Sequence, residues 1–186
     1  MKEGLRSGET FERAFAALFP GFFEREEIRA LPDSFVFAEL VLNLKEPLPW
    51  TAPLPFPEGI SFGLYEGPLK VLQEAVQTVE EDWVQYFDGG GRTFCAFDEG
   101  RIASFCALTD MGAAQGLHIG GPGCVGTLPA WRKKGIGLEM VRQTTLTLKA
   151  EGYDLSWIYY TGVAPWYAKL GYRTVLRWDR DGFRGL

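Results

Sequence analysis

A chain of 186 residues and 20.8 kDa with 19 Lys and Arg against 24 Asp and Glu, net charge −5, has the size of one generous domain and the wrong sign for a general nucleic-acid binder. Hydrophobic residues make up 46% and charged residues 23%, which is too apolar for disorder and enough for a real core. Cys95, Cys106 and Cys124 show no C-x-x-C spacing and His118 is the one histidine, so neither a secreted disulfide scaffold nor a cysteine–histidine zinc site is expected. The cysteines read as reduced packing residues of a cytoplasmic protein, and no metal is expected.

In chain order, the apolar cluster Phe11–Phe23 is interrupted by Glu12, Arg13 and Pro20, which spoils it as a signal peptide. Phe11, Phe15, Leu18 and Phe19 instead predict a helix over Glu9–Phe19, with a second short one over Glu24–Ala30. Ser34–Leu44 reads as a strand of imperfect alternation. Five prolines at 47, 49, 53, 55 and 57 then impose an extended path. Either an SH3-type partner reads this stretch, or the Leu and Phe residues between the prolines pack it on its own domain; the second reading is preferred. It divides an N-terminal extension with its Pro-rich connection, residues 1–58, from a main domain, residues 59–186.

Gly59–Tyr65 reads as a strand, Leu69–Val79 as a helix and Glu80–Phe87 as a short helix. Thr93–Phe97 and Ile102–Leu108 flank Asp98-Glu99-Gly100 as a hairpin. Met111–Trp131 carries no charge, but its glycines and prolines would break a membrane helix. A strand over Gly123–Thr127, a helix over Gly135–Ala150, a strand over Leu155–Tyr160, a short helix over Ala164–Leu170 and a strand over Tyr172–Trp178 complete the chain. Strand–helix alternation after an antiparallel hairpin implies a mixed sheet with helices on its faces.

The segment Thr127-Leu128-Pro129-Ala130-Trp131-Arg132-Lys133-Lys134-Gly135-Ile136-Gly137 is a strand end, a basic turn and a helix start. Free N–H groups at a helix N-terminus, glycines that admit close approach, and three cations suit a phosphate; a solvated basic loop is the bland alternative. A P-loop fails because Gly121 to Gly126 is followed by Thr127 without the lysine. A dinucleotide fingerprint fails because Gly135 and Gly137 are followed by Met140 where the third glycine belongs.

Arg132-Lys133-Lys134-Gly135-Ile136-Gly137 fits R/Q-x-x-G-x-G/A and resembles the acyl-CoA diphosphate motif of the GNAT superfamily of N-acyltransferases, with Pro129 three residues ahead. Ala164-Pro165-Trp166-Tyr167-Ala168-Lys169-Leu170-Gly171-Tyr172 resembles that family's C-terminal motif. The resemblance covers roughly Gly59 to Trp178 in element order. It implies an α/β (α+β) fold: a mixed, mostly antiparallel sheet with helices on both faces and two splayed parallel strands, Gly123–Thr127 and Leu155–Tyr160, beside the N-terminal helical and strand extension.

The same resemblance implies acetyl-CoA as cosubstrate. Backbone near Val125 and Thr127 would hold the pantetheine arm, and Arg132, Lys133, Lys134, Gly135, Ile136 and Gly137 the diphosphate. An amine of a small molecule or peptide would attack the thioester directly. Tyr167, a phenol of reference pKa ~10, would protonate the departing thiolate. The carboxylate many relatives carry early in the preceding strand is absent at Gly120-Gly121-Pro122-Gly123; His118 and Asp110 are the nearest titratable groups, His118 is carried as the catalytic base, and bulk water is the alternative. Relatives also finish with two strands after the Leu-Gly-(Phe/Tyr) step where only one is evident here, so Ser34–Leu44 is expected to take up that edge or cover the amine pocket.

The leading expectation is thus an N-acetyltransferase. Its rivals are a non-catalytic acyl-CoA-binding or partner-binding domain and a nucleotide-binding regulatory module. A homodimer is among the expected assemblies; nucleic acid and membrane are not among the expected partners.

Overall fold

The computed structural model describes residues 8–186, so the first seven residues of the expected 1–58 extension lie outside the described residues. In chain order the elements are α1 (Gly8–Leu18), α2 (Glu26–Arg29), β1 (Phe37–Asn43), β2 (Ile60–Leu64), α3 (Leu69–Val79), β3 (Arg92–Asp98), β4 (Arg101–Ala114), β5 (Leu117–Thr127), α4 (Ile136–Ala150), β6 (Leu155–Thr161), α5 (Ala164–Ala168), β7 (Arg173–Asp179) and β8 (Gly182–Arg184). Short 3₁₀ segments occupy Phe22–Glu24, Glu81–Tyr86 and Pro129–Trp131. The strands hydrogen-bond in the order β2-β3-β4-β5-β6-β1-β7-β8. The sheet is mixed and mostly antiparallel. Its parallel pair is β5 and β6, registered at Ile119 opposite Leu155 and Gly120 opposite Ser156. By compactness the chain divides into two units that interleave along the sequence.

One unit comprises the described residues up to Pro47, Met111–Gly120 and Gly152–Leu186. Here β1 pairs antiparallel with β6 on one side and β7 on the other, so the strand read at Ser34–Leu44 forms and takes an inner place in the sheet. The outer strand is β8, a three-residue stretch paired to β7 and tied by the Arg184–Asp179 ion pair. So short a strand has no alternation to read. On α1, Phe11, Ala14 and Phe15 recur at helical spacing and are buried with Phe22, Trp157 and Trp178. Phe22 meets Trp178 edge-on at 4.8 Å, and Phe11 meets Trp157 edge-on at 6.0 Å.

The other unit comprises Leu48–Asp110 and Gly121–Glu151. The period-two alternation of β3 separates two clusters. Cys95 packs with Phe105 against Leu72, Ala75 and Val76 of α3, while Phe94 packs with Cys106 against Met140 of α4. The two helices therefore cover opposite faces of the β3–β4 pair. Strand β5 begins six residues earlier than the Gly123 expected from sequence. Its glycines are buried strand residues, and at Gly126 the ring of Phe105 fills the space a Cβ would need.

The proline segment packs on its own unit, as preferred from sequence. Prolines 47, 49, 53, 55 and 57 are exposed, while Leu48, Trp50, Leu54 and Phe56 between them are half-buried, the signature of an extended strap with one face inward. Phe56 meets Phe62 of β2 edge-on at 5.1 Å.

Candidate active site

The basic turn is built by the hydrogen bonds around it. At the end of β5, Ser104 Oγ donates to the Gly126 carbonyl at 2.6 Å and lies 2.9 Å from Thr127 Oγ1. Leu128 N–H donates to Ala103. The 3₁₀ turn then presents Trp131, whose indole N–H donates to Asp98 Oδ2 at 2.9 Å while the Arg101 guanidinium sits 5.5 Å over its ring. Arg132 Nε reaches back to the Thr127 carbonyl at 2.9 Å and closes the turn. Lys133 (φ 61°) and Gly135 (φ 82°) place two left-handed residues in three positions, which swings the chain sharply into α4.

Gly135 is the N-cap of α4 and no side chain caps it. The first-turn amides have no acceptor within the helix, and the positive end of the dipole of a 15-residue helix lies there. Arg132, Lys133 and Lys134 are exposed beside it. The acidic residue of the first turn, Glu139, is wholly buried and paired with Arg142 at 2.8 Å, so its charge is compensated. Uncapped amides, two left-handed residues and three exposed cations fit a diphosphate.

Just before this turn, Cys124 sits mid-strand with φ 46°. A left-handed non-glycine residue inside a strand is rare and re-aims the side chains that follow it. Val125 is half-buried against the Phe94–Cys106–Met140 cluster. Burial pushes the Cys124 thiol up to about 11 and the Cys106 thiol up to about 12, so both stay protonated at neutral pH.

Val125, Thr127, Arg132, Lys133, Lys134, Gly135, Ile136 and Gly137 all fall in one unit; Tyr167 and His118 belong to the other. On α5, Tyr167 is buried, with its ring edge-on to Trp166 at 4.8 Å and inclined to Tyr172 at 6.2 Å. Tyr172 is fixed in turn by a 2.6 Å hydrogen bond between its hydroxyl and Ser156. His118, second residue of β5, stacks on Tyr153 at 3.9 Å, and its backbone exchanges two hydrogen bonds with Asp154, which also pairs with Lys45 at 2.8 Å.

Two wholly buried carboxylates escaped the sequence reading. Glu139 is one. Glu39 on β1 is the other: fully buried, it accepts from Trp157 Nε1 at 2.6 Å, Trp178 Nε1 at 2.7 Å and Tyr160 N at 2.9 Å. Burial raises its carboxyl to about 7 against the pull of those three donors. The signal was present as a single Glu in the apolar run Phe37-Ala38-Glu39-Leu40-Val41-Leu42. Among the described residues, no group of His, Cys, Asp and Glu is arranged to hold a metal ion, and no helix is long and apolar enough to cross a membrane.

Residues 89–174 match the family described as acetyltransferase (GNAT) domain, a span that includes the basic turn and the Ala164–Tyr172 motif. Over that stretch the chain is similar to GNAT acetyltransferase domains. Members of this family use acetyl-CoA as cosubstrate. No protein of curated function matches the sequence.

Solved structures share the fold. The GCN5-related glucosamine N-acetyltransferase region of a fungal multi-domain GH3 β-N-acetylglucosaminidase superposes with TM-score 0.64 at 19% identity, over 79% of this chain and 20% of that one. A GCN5-related N-acetyltransferase from Sphaerobacter thermophilus gives 0.56 at 21%, over 76% and 49%. One from Kribbella flavida gives 0.53 at 22%, over 89% and 69%. The chain described here thus spans about a fifth of the first and half of the second.

Proposed function

We propose that this protein transfers the acetyl group of acetyl-CoA to a primary amine of a small molecule or peptide, by direct attack and without an acyl-enzyme. The observation that carries the reading is the turn Lys133–Gly137. Uncapped first-turn amides of α4 and three exposed cations stand together inside the segment that matches the family. Acetyl-CoA supplies the activated acyl thioester. The amides of Lys133 to Gly137 grip its diphosphate, and the backbone at Val125 and Thr127, past the left-handed Cys124, is the edge offered to the pantetheine arm.

Direct transfer is supported by the thiols. Cys124, nearest the turn in sequence, is held protonated by burial and is a poor nucleophile. Tyr167 is assigned the proton for the departing thiolate, its ring braced by Trp166 and Tyr172. His118 is assigned the amine's proton, with bulk water as the alternative; the stack on Tyr153 and two backbone bonds with Asp154 hold it at the start of β5. Residues 1–58 serve as an N-terminal addition whose strand β1 completes the sheet beside β6. Three free cysteines accord with a reducing, cytoplasmic setting.

Calorimetry with CoA and acetyl-CoA, followed by thiol release across a panel of primary amines, tests the proposal. Both nucleotides are expected to bind, and at least one amine to release thiol well above the no-amine rate. Binding without turnover on any amine would convert the protein to a non-catalytic acyl-CoA receptor.

A further inference from the structure

The proline strap lies directly on the helix that opens from the basic turn. Leu54 N–H donates to Glu139 Oε2 at 2.8 Å, joining residues 85 apart in sequence. The same buried carboxylate takes Arg142 Nε at 2.8 Å, Arg142 Nη2 at 2.9 Å and Gln143 Nε2 at 2.7 Å. Arg142 is itself buried, and its guanidinium sits 5.2 Å over the ring of Trp50, back on the strap. One residue beyond Leu54, the Pro55 carbonyl oxygen occupies the space that a Cβ on Gly135 would need. The strap therefore reaches the N-cap of α4, and Gly135 is demanded as much by Pro55 as by any ligand.

We propose that Glu139 is a positioning residue for the acyl donor: through the Leu54 amide it locks the proline strap to the first turn of α4, and so fixes the Pro55 carbonyl at the rim of the diphosphate seat. This deepens the acyl-CoA reading and rests on it. The physical need is electrostatic. A carbonyl oxygen carries partial negative charge, and beside an anion seat a small drift sets it against the diphosphate. Proline supplies stiffness along the strap but removes amide donors, and Leu54, between Pro53 and Pro55, keeps the one that Glu139 uses. Glu139 carries its own charge into the first turn of α4, where Arg142 compensates it.

The test separates the amide from the side chain. Leu54→Ala keeps the N–H and removes the leucine packing; Leu54→Pro removes both. Each full-length variant is checked for a cooperative melt and then titrated with CoA by calorimetry. Leu54→Pro is expected to bind CoA about tenfold more weakly than Leu54→Ala, the low end for losing a hydrogen bond to a charged group. Glu139→Gln, which keeps an acceptor oxygen, is expected to bind CoA more tightly than Glu139→Ala. A readout on the unaltered protein guards against a variant that does not fold: CoA should slow hydrogen exchange of the Leu54 amide at least several-fold. Equal affinity of the two Leu54 variants, or exchange at Leu54 indifferent to bound CoA, overturns the positioning role. Failure of the wild type to bind CoA overturns the acyl-CoA reading, and the positioning role with it.

Discussion

Glu39→Ala is expected to lower the free energy of unfolding by about 3–5 kcal/mol, measured by urea denaturation at neutral pH. The substitution leaves the indole N–H groups of Trp157 and Trp178 and the amide of Tyr160 without their acceptor in a fully buried place. Each orphaned donor costs about 1–3 kcal/mol, offset in part because a desolvated carboxylate is removed as well. Tyr160 holds a left-handed conformation (φ 54°) with its N–H aimed at Glu39, so the irregular pairing of β1 with β6 at Ala38–Leu40 should loosen too. Glu39→Gln keeps one acceptor oxygen and turns its NH2 toward a donor, so a smaller loss is expected.

The pH dependence has a definite sign. Burial raises the folded carboxyl from 4.5 to about 7, so the folded state holds the proton more tightly than the unfolded chain. The stabilisation that follows is fully present below about pH 4.5 and is lost as pH rises through about 7. Thermal melts of the wild type, set against Glu39→Gln, should therefore show Tm falling relative to the variant between those values. A flat difference would mean that Glu39 is ionised throughout.

Tyr167→Phe is expected to reduce kcat with the best amine about 100-fold and to change CoA affinity less than about twofold, the size of effect a positioned general acid supplies. Phenylalanine preserves the edge-on contacts with Trp166 and Tyr172, and Tyr172 remains tied to Ser156, so ring packing survives and only the hydroxyl is lost. An unaltered kcat would remove Tyr167 from the chemistry and leave it a packing residue of α5.

What the sequence disclosed, and what it concealed, follows the range of the interactions. Helix α3 was legible to its ends, because Leu72, Ala75 and Val76 recur at 3–4 spacing. The basic turn was legible because its chemistry is local: three cations, two glycines and a helix start within six residues. The first half of β5 was concealed because Gly120-Gly121-Pro122-Gly123 reads as a break, and only packing such as Phe105 over Gly126 explains why small residues belong in a strand. The partners of Glu39 lie 118 to 139 residues away and those of the Leu54 amide 85 away, so no window of sequence contains them. That Ser34–Leu44 joins the C-terminal end of the sheet was legible, since β1 pairs with β7, but its insertion between β6 and β7 was not. Strand pairing across the length of a chain leaves no local trace.

The most direct measurement is a titration of uniformly ¹⁵N-labelled protein with CoA, followed by two-dimensional NMR of the assigned backbone amides. If the turn opening α4 holds the diphosphate, the largest shifts will fall on Lys133, Lys134, Gly135, Ile136 and Gly137, with a second set at Val125 and Thr127, and all will saturate at one CoA per chain. Saturable binding that leaves those amides unmoved while others shift would contradict the placement of the cosubstrate at this turn.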